Sequence, residues 1–298
     1  MKEIVVISGK GGTGKTTIVS SFAALSKHAV IADCDVDAAD LHLLLNPNVQ
    51  NSEPFIGGKV AEIIPESCTQ CGECENFCRF DAISEKVNGG TISYAVDPIS
   101  CEGCGVCVAV CPSECIRFES QERGELFVSS TKYGPMVHAR LGIAEENSGK
   151  LVSLVRAQAK SIAKEKDYEL IIIDGSPGVG CPVISSITGA HAVLIITEPT
   201  ITGVHDMERA VGLAEHFNIP TYLCINKCDI NSEITEEIVK RSKFLAVTVL
   251  GQIHYDPVIT EAQIHAVPVV EYCQNSVSKE ITAVWDSLYG NICADKTN

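Results

Sequence analysis

Cysteine spacing constrains the fold of this 298-residue chain more than any other feature of its sequence. Four cysteines are separated by two, two and three residues, and the same spacing begins again at Cys101, with a proline after the last cysteine. The two sets are Cys68, Cys71, Cys74 and Cys78, then Cys101, Cys104, Cys107 and Cys111, followed by Pro112. Eight thiolates at this spacing suit two [4Fe–4S] clusters.

The predicted ligand sets cross between the two halves of the repeat, because one loop supplies three corners of a cubane and the other half supplies the fourth. Cluster one would be held by Cys68, Cys71, Cys74 and Cys111, and cluster two by Cys101, Cys104, Cys107 and Cys78. The pattern resembles that of two-cluster bacterial ferredoxins. Two four-cysteine zinc sites are the alternative, since zinc also uses Cys-x2-Cys pairs, but the doubled spacing favours clusters.

A glycine-rich segment near the start of the chain predicts a phosphate-binding loop. It follows an apolar run at residues 4–7 that reads as a buried strand, and a helix is expected after it. Backbone N–H groups and the helix dipole would surround the phosphates, Lys15 would reach the β- and γ-phosphates, and Thr16 would hold Mg²⁺. The candidate nucleotide-binding residues are Gly11, Gly12, Thr13, Gly14, Lys15, Thr16 and Thr17.

An additional lysine, Lys10, makes this loop resemble the deviant Walker A motif of the MinD/ParA family of P-loop ATPases, which includes the nitrogenase iron protein and the Mrp-type carriers. The resemblance implies ATP hydrolysis and an ATP-dependent homodimer, or a related heterodimer, in which Lys10 contacts the partner's nucleotide. It also implies that Asp35 positions the attacking water, that Asp174 supports Mg²⁺ and that Asn226 faces adenine. As a whole, the chain looks like a MinD-superfamily ATPase with an inserted ferredoxin domain.

The identity of the base is open to a second interpretation. The segment Asn226-Lys227-Cys228-Asp229 matches Asn-Lys-x-Asp, which many GTPases use to read guanine. A four-residue motif matches by chance more readily than the glycine-rich loop, so ATP is favoured over GTP.

Apolar runs outside the cysteine-rich segment predict an α/β fold. Uninterrupted runs such as residues 170–173 and 192–196 are typical of strands at the centre of a parallel sheet. We therefore expect a doubly wound parallel-sheet P-loop NTPase at residues 1–65 and 121–298. A small α+β ferredoxin-like insertion carrying two [4Fe–4S] clusters is expected at residues 66–120.

Several local elements are also predicted. Asn88-Gly89-Gly90 predicts a hairpin turn inside the insertion. Ser148 is expected to cap a helix that has Leu154 on its apolar face, whereas His138 is expected in a loop. Cys181 lies seven residues after Asp174. The nitrogenase iron protein places one ligand of its dimer-bridging cluster at the same spacing, but here a buried core thiol is favoured.

Composition limits the possible partners. The formal net charge of −15 is unfavourable for binding nucleic acid or anionic lipid. No apolar run reaches the roughly 18–20 residues needed to cross a bilayer, so no stable membrane anchor is expected. Fifteen cysteines without an export signal suit a reducing cytoplasm.

Any function must use both the loop and the cysteines. The first hypothesis is an iron–sulfur ATPase with electron-carrier activity, in which nucleotide-dependent dimer closure gates electron transfer to a redox partner. The alternative is an Mrp-like ATPase that assembles or carries Fe–S clusters for an acceptor protein. Spatial positioning is disfavoured in both of its forms. MinD-type positioning uses a basic membrane-binding helix, whereas the last helix here has Lys279 as its only basic residue. ParA-type positioning needs a basic surface for DNA, which a net charge of −15 does not favour.

Overall fold

The chain divides into two units in its computed structural model, which describes residues 1–142 and 148–294. The first unit contains Met1–Glu53, Leu126–Arg140 and the chain from Ser148 onward. The second contains Pro54–Glu125 and a short stretch that begins at Leu141. Most of the second unit therefore lies between segments of the first in the sequence.

Strands and helices alternate through most of the described residues. The strands are β1 (Lys2–Ser8), β2 (Val30–Asp33), β3 (Asn48–Ile63), β4 (Ile83–Asn88), β5 (Thr91–Val96), β6 (Ile116–Thr131), β7 (Gly134–Leu141), β8 (Leu170–Pro177), β9 (Ala192–Thr197), β10 (Thr221–Asn226) and β11 (Thr248–Ile253). The helices are α1 (Lys15–Ser26), α2 (Leu41–Leu45), α3 (Glu73–Asn76), α4 (Val106–Val110), α5 (Ser148–Glu165), α6 (Cys181–Ile187), α7 (Ile201–His216), α8 (Ser232–Phe244), α9 (Val258–Ile264), α10 (Val269–Tyr272) and α11 (Ser276–Ala294).

The first unit is built on a parallel sheet. Its strands follow the order β11-β10-β9-β1-β8-β2-β7, and the neighbours from β11 to β7 pair in parallel. Ile4 of β1 is level with Ile172 of β8 on one side and with Ala192 of β9 on the other. Strands shielded on both faces need continuous apolar runs, which explains why the sequence reveals them. The predicted parallel-sheet α/β fold is confirmed.

Helices cover both faces of this sheet. Ile4 and Val6 of β1 pack in one core with residues of α1 and α11, including Trp285. Val5 and Ile7 point to the opposite face and are equally buried. The last helix, α11, therefore packs on the sheet through its apolar residues. None of the helices in the described residues is long and apolar enough to cross a membrane.

One edge of the sheet differs from the prediction. The strand order continues from β7 to β6 and β3, and β3 and β6 are each 16 residues long. Within these two long strands the sequence indicates a strand only near residues 60–64 and 126–129. The expectation that His138 lies in a loop is wrong, because it belongs to β7. Residues 48–54 of β3 are all exposed, so the sequence there lacks the apolar pattern that identifies a strand.

The second unit repeats its backbone conformation at the interval that separates Cys68 from Cys101, which we call the repeat interval. Left-handed φ angles recur in pairs at this interval: Gln70 and Gly103 (both 61°), Gly72 and Gly105 (78° and 74°), and Asp81 and Glu114 (51° and 50°). Helices α3 and α4 each begin directly after the glycine of such a pair. The predicted hairpin is confirmed, because β4 and β5 pair antiparallel with Asn88 opposite Thr91.

The core of the second unit is small and rich in cysteine. Its buried residues are Ala61, Ile63, Cys74, Ile83, Cys115 and Ile116, against which partly buried Cys68, Cys78, Cys101, Cys107 and Cys111 pack. Units of this size bury little apolar area, and natural ones are commonly stabilised by a metal or by disulfides.

Candidate nucleotide and cysteine sites

The glycine-rich loop joins the end of β1 to the start of α1. Gly12 and Gly14 adopt left-handed φ angles of 79° and 87°, a conformation that side chains other than glycine rarely adopt. The Ser8 hydroxyl donates to the carbonyl of Lys10 at 2.8 Å and holds the start of the loop. A cavity of about 460 Å³ opens here, lined by the loop from Gly11 to Thr17 and by Asp35.

The loop lysine points toward two carboxylates. Lys15 Nζ lies 2.5 Å from Asp174 Oδ1 and 3.2 Å from Asp35 Oδ2, and all three side chains are largely buried. Burial alone would lower the pKa of Lys15, but the charges of Asp174 and Asp35 outweigh it and raise the pKa above its usual value. The structure thus brings together three predicted site residues, from the start of α1, from the segment after β2 and from β8.

Buried oxygen atoms around this lysine lack hydrogen-bond partners. Thr13 Oγ1, Asp35 Oδ1 and Asp174 Oδ2 are each enclosed without a partner among the described residues. Buried polar atoms are rarely unsatisfied unless a ligand, ion or water completes them. Carboxylate and hydroxyl oxygens are ligands that Mg²⁺ accepts directly or through water, so the donor set fits a magnesium–phosphate group.

The two aspartates that flank Cys34 have different surroundings. Asp33 is fully buried, and its carboxylate accepts the N–H groups of Asp35 at 3.1 Å and of Leu41 at 3.3 Å. Asp35 instead lines the phosphate cavity. Burial raises the pKa of both carboxyls, and the charge of Asp174 adds to that rise. Asp33 therefore holds the segment between β2 and α2, whereas Asp35 is the carboxylate available to a ligand.

Lys10 is paired within its own chain. Its Nζ lies 2.7 Å from Glu198 Oε1 and 3.3 Å from the hydroxyl oxygens of Thr200 and Thr202. Burial alone would raise the pKa of Glu198, but hydrogen bonds from Lys10 and Lys227 lower it. Glu198 was not predicted from the sequence, because no motif marks the residue that follows β9.

A second cavity, of about 230 Å³, adjoins the loop at Asn226, the residue predicted to face the base, and we call it the base cavity. Its lining includes Gly12, Asn226, Tyr255, Asp256 and Gln263. The Asn226 amide nitrogen donates to the carbonyl of Thr13 at 2.7 Å, and its amide oxygen accepts the Lys227 N–H at 3.0 Å. Asn226 therefore lines this cavity while its polar atoms hold the loop, and its contact with adenine stays a prediction.

The aspartate of the Asn-Lys-x-Asp segment lies elsewhere. Asp229 Oδ1 accepts the N–H of Tyr255 at 2.7 Å, and Asp229 lines a different cavity with Cys228 and His254. Reading guanine requires a carboxylate that faces the base, and Asp229 does not line the base cavity.

Gln263 is a further cavity residue that the sequence did not reveal. It lies on α9 and lines both the phosphate cavity and the base cavity. Its amide nitrogen donates to Thr17 Oγ1 at 2.8 Å. A glutamine carries no motif of its own, so only its position identifies it.

Four cysteines line one cavity of the second unit. Cys78, Cys101, Cys104 and Cys107 share it with apolar residues that include Phe80 and Phe118. These four are the predicted ligands of cluster two. Burial raises the pKa of the Cys107 thiol, and the neighbouring thiols of Cys101 and Cys104 add to the rise despite an opposing backbone hydrogen bond.

The remaining four predicted ligands also lie near one another. Burial, together with the nearby Cys68 and Cys71 thiols, raises the pKa of Cys74 to about 11. Cys111 Sγ lies 3.5 Å from Sγ of Cys115. Burial raises the pKa of Cys115, and the charges of Cys111 and then Cys68 contribute.

The described residues contain no group of three or more His, Cys, Asp or Glu side chains that could hold a single metal ion. The thiolates of a cubane cluster bind four different irons, which is a different geometry from ligands around one ion.

Cys181 is exposed at the start of α6, so the expectation of a buried core thiol at this position is wrong.

A parallel sheet with a glycine-rich loop between its first strand and first helix defines a P-loop nucleotide-binding protein. The chain belongs to the CobQ/CobB/MinD/ParA nucleotide binding domain family, whose family model matches residues 4–269.

Individual relatives cover different parts of the chain. The uncharacterized protein MJ0578 of Methanocaldococcus jannaschii is 36% identical over 233 residues, which is 77% of this chain and 79% of that protein. Ferredoxin-1 of Chlorobaculum tepidum is 44% identical over 63 residues, 19% of this chain and 95% of the ferredoxin. An iron-sulfur cluster carrier protein of M. jannaschii is 23% identical over 285 residues, 90% of this chain and 77% of the carrier. In fold, the chain is similar to MinD of Pyrococcus horikoshii complexed with Mg-ADP, with a TM-score of 0.59, 16% identity, and coverage of 100% and 99%.

Proposed function

We propose that this protein is an ATP-hydrolysing iron–sulfur protein in which the nucleotide state of a dimer gates electron transfer through two [4Fe–4S] clusters to a partner protein. The observation that carries the proposal is the backbone repeat of the second unit, together with a cavity lined by the four predicted ligands of cluster two. A repeat with this cysteine spacing has two equivalent halves, each of which would supply three ligands to one cluster and one to the other.

ATP and Mg²⁺ are the proposed ligands of the loop. The unpartnered oxygens of Thr13, Asp35 and Asp174 support a magnesium–phosphate group, with Thr16 as a further oxygen donor and Lys15 facing the phosphates. When bound, Mg²⁺ would neutralise phosphate charge and orient the γ-phosphate. The position of Asp229 outside the base cavity supports adenine over guanine.

Asp35 is proposed to position the attacking water, and substitution tests this role. We expect Asp35→Ala to bind ATP but to lose turnover by about 10²–10⁴-fold, because the phosphate cradle remains while the oriented water is lost. Equilibrium binding and phosphate release measured on one preparation would check this. Wild-type hydrolysis in the variant would remove Asp35 from the reaction.

The clusters are proposed to belong to a ferredoxin-like domain at residues 66–120, inserted between ATPase segments 1–65 and 121–298. This region occupies a share of the chain close to the 19% that matches Ferredoxin-1. When bound, each cluster would accept and release one electron; the chain supplies its thiolates and an apolar surround. Complete four-cysteine sites suit holding a cluster rather than releasing it.

Coupling between nucleotide and clusters is proposed to begin at Lys10. In the single chain Lys10 is paired with Glu198, so pairing with a partner's nucleotide requires it to leave this contact. ATP-dependent dimerisation would then change the surroundings of the loop and of Asp174. A redox protein is the proposed acceptor of the electrons.

An Fe–S carrier function is the second candidate. Similarity to an iron-sulfur cluster carrier protein over 90% of this chain favours it. In that case the ATPase cycle would drive transfer of a whole cluster to an acceptor.

The two candidates differ in the fate of iron. We expect about eight irons and eight labile sulfides per chain, and absorbance near 400 nm that dithionite bleaches. Incubation of ⁵⁵Fe-labelled protein with ATP and an apo-ferredoxin should leave the label in place. Transfer of the label would favour the carrier function, and a colourless protein that contains zinc would refute both.

A further inference from the structure

We propose that Cys115 donates a hydrogen bond to the ligand sulfur of Cys111 and thereby raises the reduction potential of cluster one relative to cluster two. The inference rests on the proposed two-cluster function. Cys115 stands outside the eight cysteines of the repeat, and the proposed function gives it no role.

The thiol of Cys115 is buried beside a predicted ligand. Cys115 is 3% exposed, and its Sγ lies 3.5 Å from the Sγ of Cys111. The hydroxyl of half-buried Ser113 lies 3.6 Å from the same sulfur. A coordinated thiolate has no proton to donate, so in the loaded protein Cys111 accepts and Cys115 is the donor.

The backbone fixes the position of this thiol. Glu114 has a left-handed φ of 50°, and its N–H donates to the carbonyl of Cys111 at 3.3 Å, which closes a tight turn. The carbonyl of Cys115 accepts the N–H of Ile64 at 2.8 Å. The turn therefore holds residue 115 facing the ligand that precedes it by four positions.

The other half of the repeat has the same backbone but a different side chain. Ala82 precedes Cys115 by one repeat interval, is 2% exposed, and follows Asp81, whose φ is 51°. Its carbonyl accepts the N–H of Asp97 at 2.7 Å, and Asp97 follows Ile64 by the same interval. A methyl group cannot donate a hydrogen bond, so the equivalent ligand of cluster two receives none from this position.

This difference predicts an order of reduction. The reduced cluster carries one more negative charge than the oxidised cluster, so a donor to a ligand sulfur stabilises the reduced form more. Cluster one should therefore gain potential from Cys115, and cluster two should gain an equivalent amount if a thiol is placed at position 82.

The test is a pair of reciprocal substitutions in the full-length, cluster-loaded protein. Cys115→Ala should lower one of the two potentials, and Ala82→Cys should raise the other, in anaerobic redox titrations monitored by electron paramagnetic resonance. We expect about a fivefold change in the ratio of reduced to oxidised cluster at a fixed potential, which converts to about 40 mV for a one-electron couple. Cys115→Ser retains a donor and should restore most of the potential. Ala82 shows that alanine fits this backbone, so Cys115→Ala is expected to fold.

Controls separate this inference from the function on which it rests. Cys224→Ala removes a buried thiol from the core of the first unit and should move neither potential. If the wild-type protein holds no clusters, the proposed function fails. If iron content is full and both reciprocal variants titrate like the wild type, or if both shift the same couple, the inference is wrong and the two-cluster function stands. If Cys115→Ala does not fold, Ala82→Cys alone decides.

Discussion

The nucleotide site and the cysteine repeat differ in how far apart in the sequence their residues lie. The loop region gathers Lys15, Asp35, Asp174 and Asn226 from segments far apart in the sequence: the start of α1, the segment after β2, and the buried strands β8 and β10. The second unit takes its eight cysteines from one continuous segment, 68–111, and repeats one backbone pattern. The sheet can therefore form its site without a ligand, whereas the second unit relies on cysteines for much of its core.

The largest effect should follow from removing the iron of the proposed clusters. Because the core of the second unit is small and cysteine-rich, we expect the apo-protein to lose order there, while the first unit keeps its fold and its ATP affinity. Hydrogen exchange of amides in β4 and β5 should accelerate by more than about 100-fold, a loss of about 3 kcal/mol of local stability. Amides of β1 and β8 provide the internal control. Equal protection of β4 and β5 in apo- and holoprotein would show that the second unit folds without clusters, as the first unit does.

Lys15→Ala should weaken both ATP binding and the stability of the first unit. It leaves the buried carboxylates of Asp35 and Asp174 without their cation, so we expect ATP affinity to fall more than about 100-fold and the free energy of unfolding of the first unit to fall by about 3–5 kcal/mol. Calorimetric titration and denaturant unfolding would measure these, with Lys164→Ala on the exposed face of α5 as control. Iron content should stay at the wild-type level. Iron loss in this variant would show that the two regions are not independent.

The ion pair between Lys10 and Glu198 holds Lys10 within its own chain. Glu198→Gln should free Lys10 for an interchain contact, and we expect the ATP-dependent dimer to form about fivefold more tightly, or about 1 kcal/mol. Sedimentation with ATP and Mg²⁺ would measure this. Glu215→Gln, an exposed change on α7, is the matched control. A dimer weaker than that of the wild type would mean that Glu198 supports the closed state.

A smaller effect concerns pH and the first unit. Burial, with a contribution from His42, lowers the pKa of His138 from 6.5 to about 4. Between these values the unfolded chain binds a proton that the folded chain does not, so stability is full above pH 6.5 and falls as pH drops toward 4. His138→Phe keeps the ring stack on Phe127. It should reduce the total change in unfolding free energy between pH 6.5 and pH 4 by about 1–2 kcal/mol, a figure that allows for solvent screening. Parallel slopes for wild type and variant would refute this.

The sequence predicted the central strands well because they are shielded on both faces and therefore read as unbroken apolar runs, as in β8 and β9. It failed where exposure removes that pattern, as in most of β3, and it placed Leu154 on the buried face of α5 although that side chain is 42% exposed. Motif residues of the loop were found because their chemistry fixes their spacing. Glu198 and Gln263 were missed because tertiary contacts alone define their roles, and Cys115 because only the backbone repeat relates it to Ala82.

The most direct test of redox gating compares ATP affinity in oxidised and dithionite-reduced protein. Coupling is reciprocal, so if ATP changes a cluster potential, reduction must change ATP affinity by the same free energy. We expect about a threefold difference in dissociation constant, or about 0.7 kcal/mol, that disappears in Lys10→Ala. Identical affinities in both redox states of a fully cluster-loaded wild-type protein would contradict redox gating by ATP. The Fe–S carrier function would then be favoured.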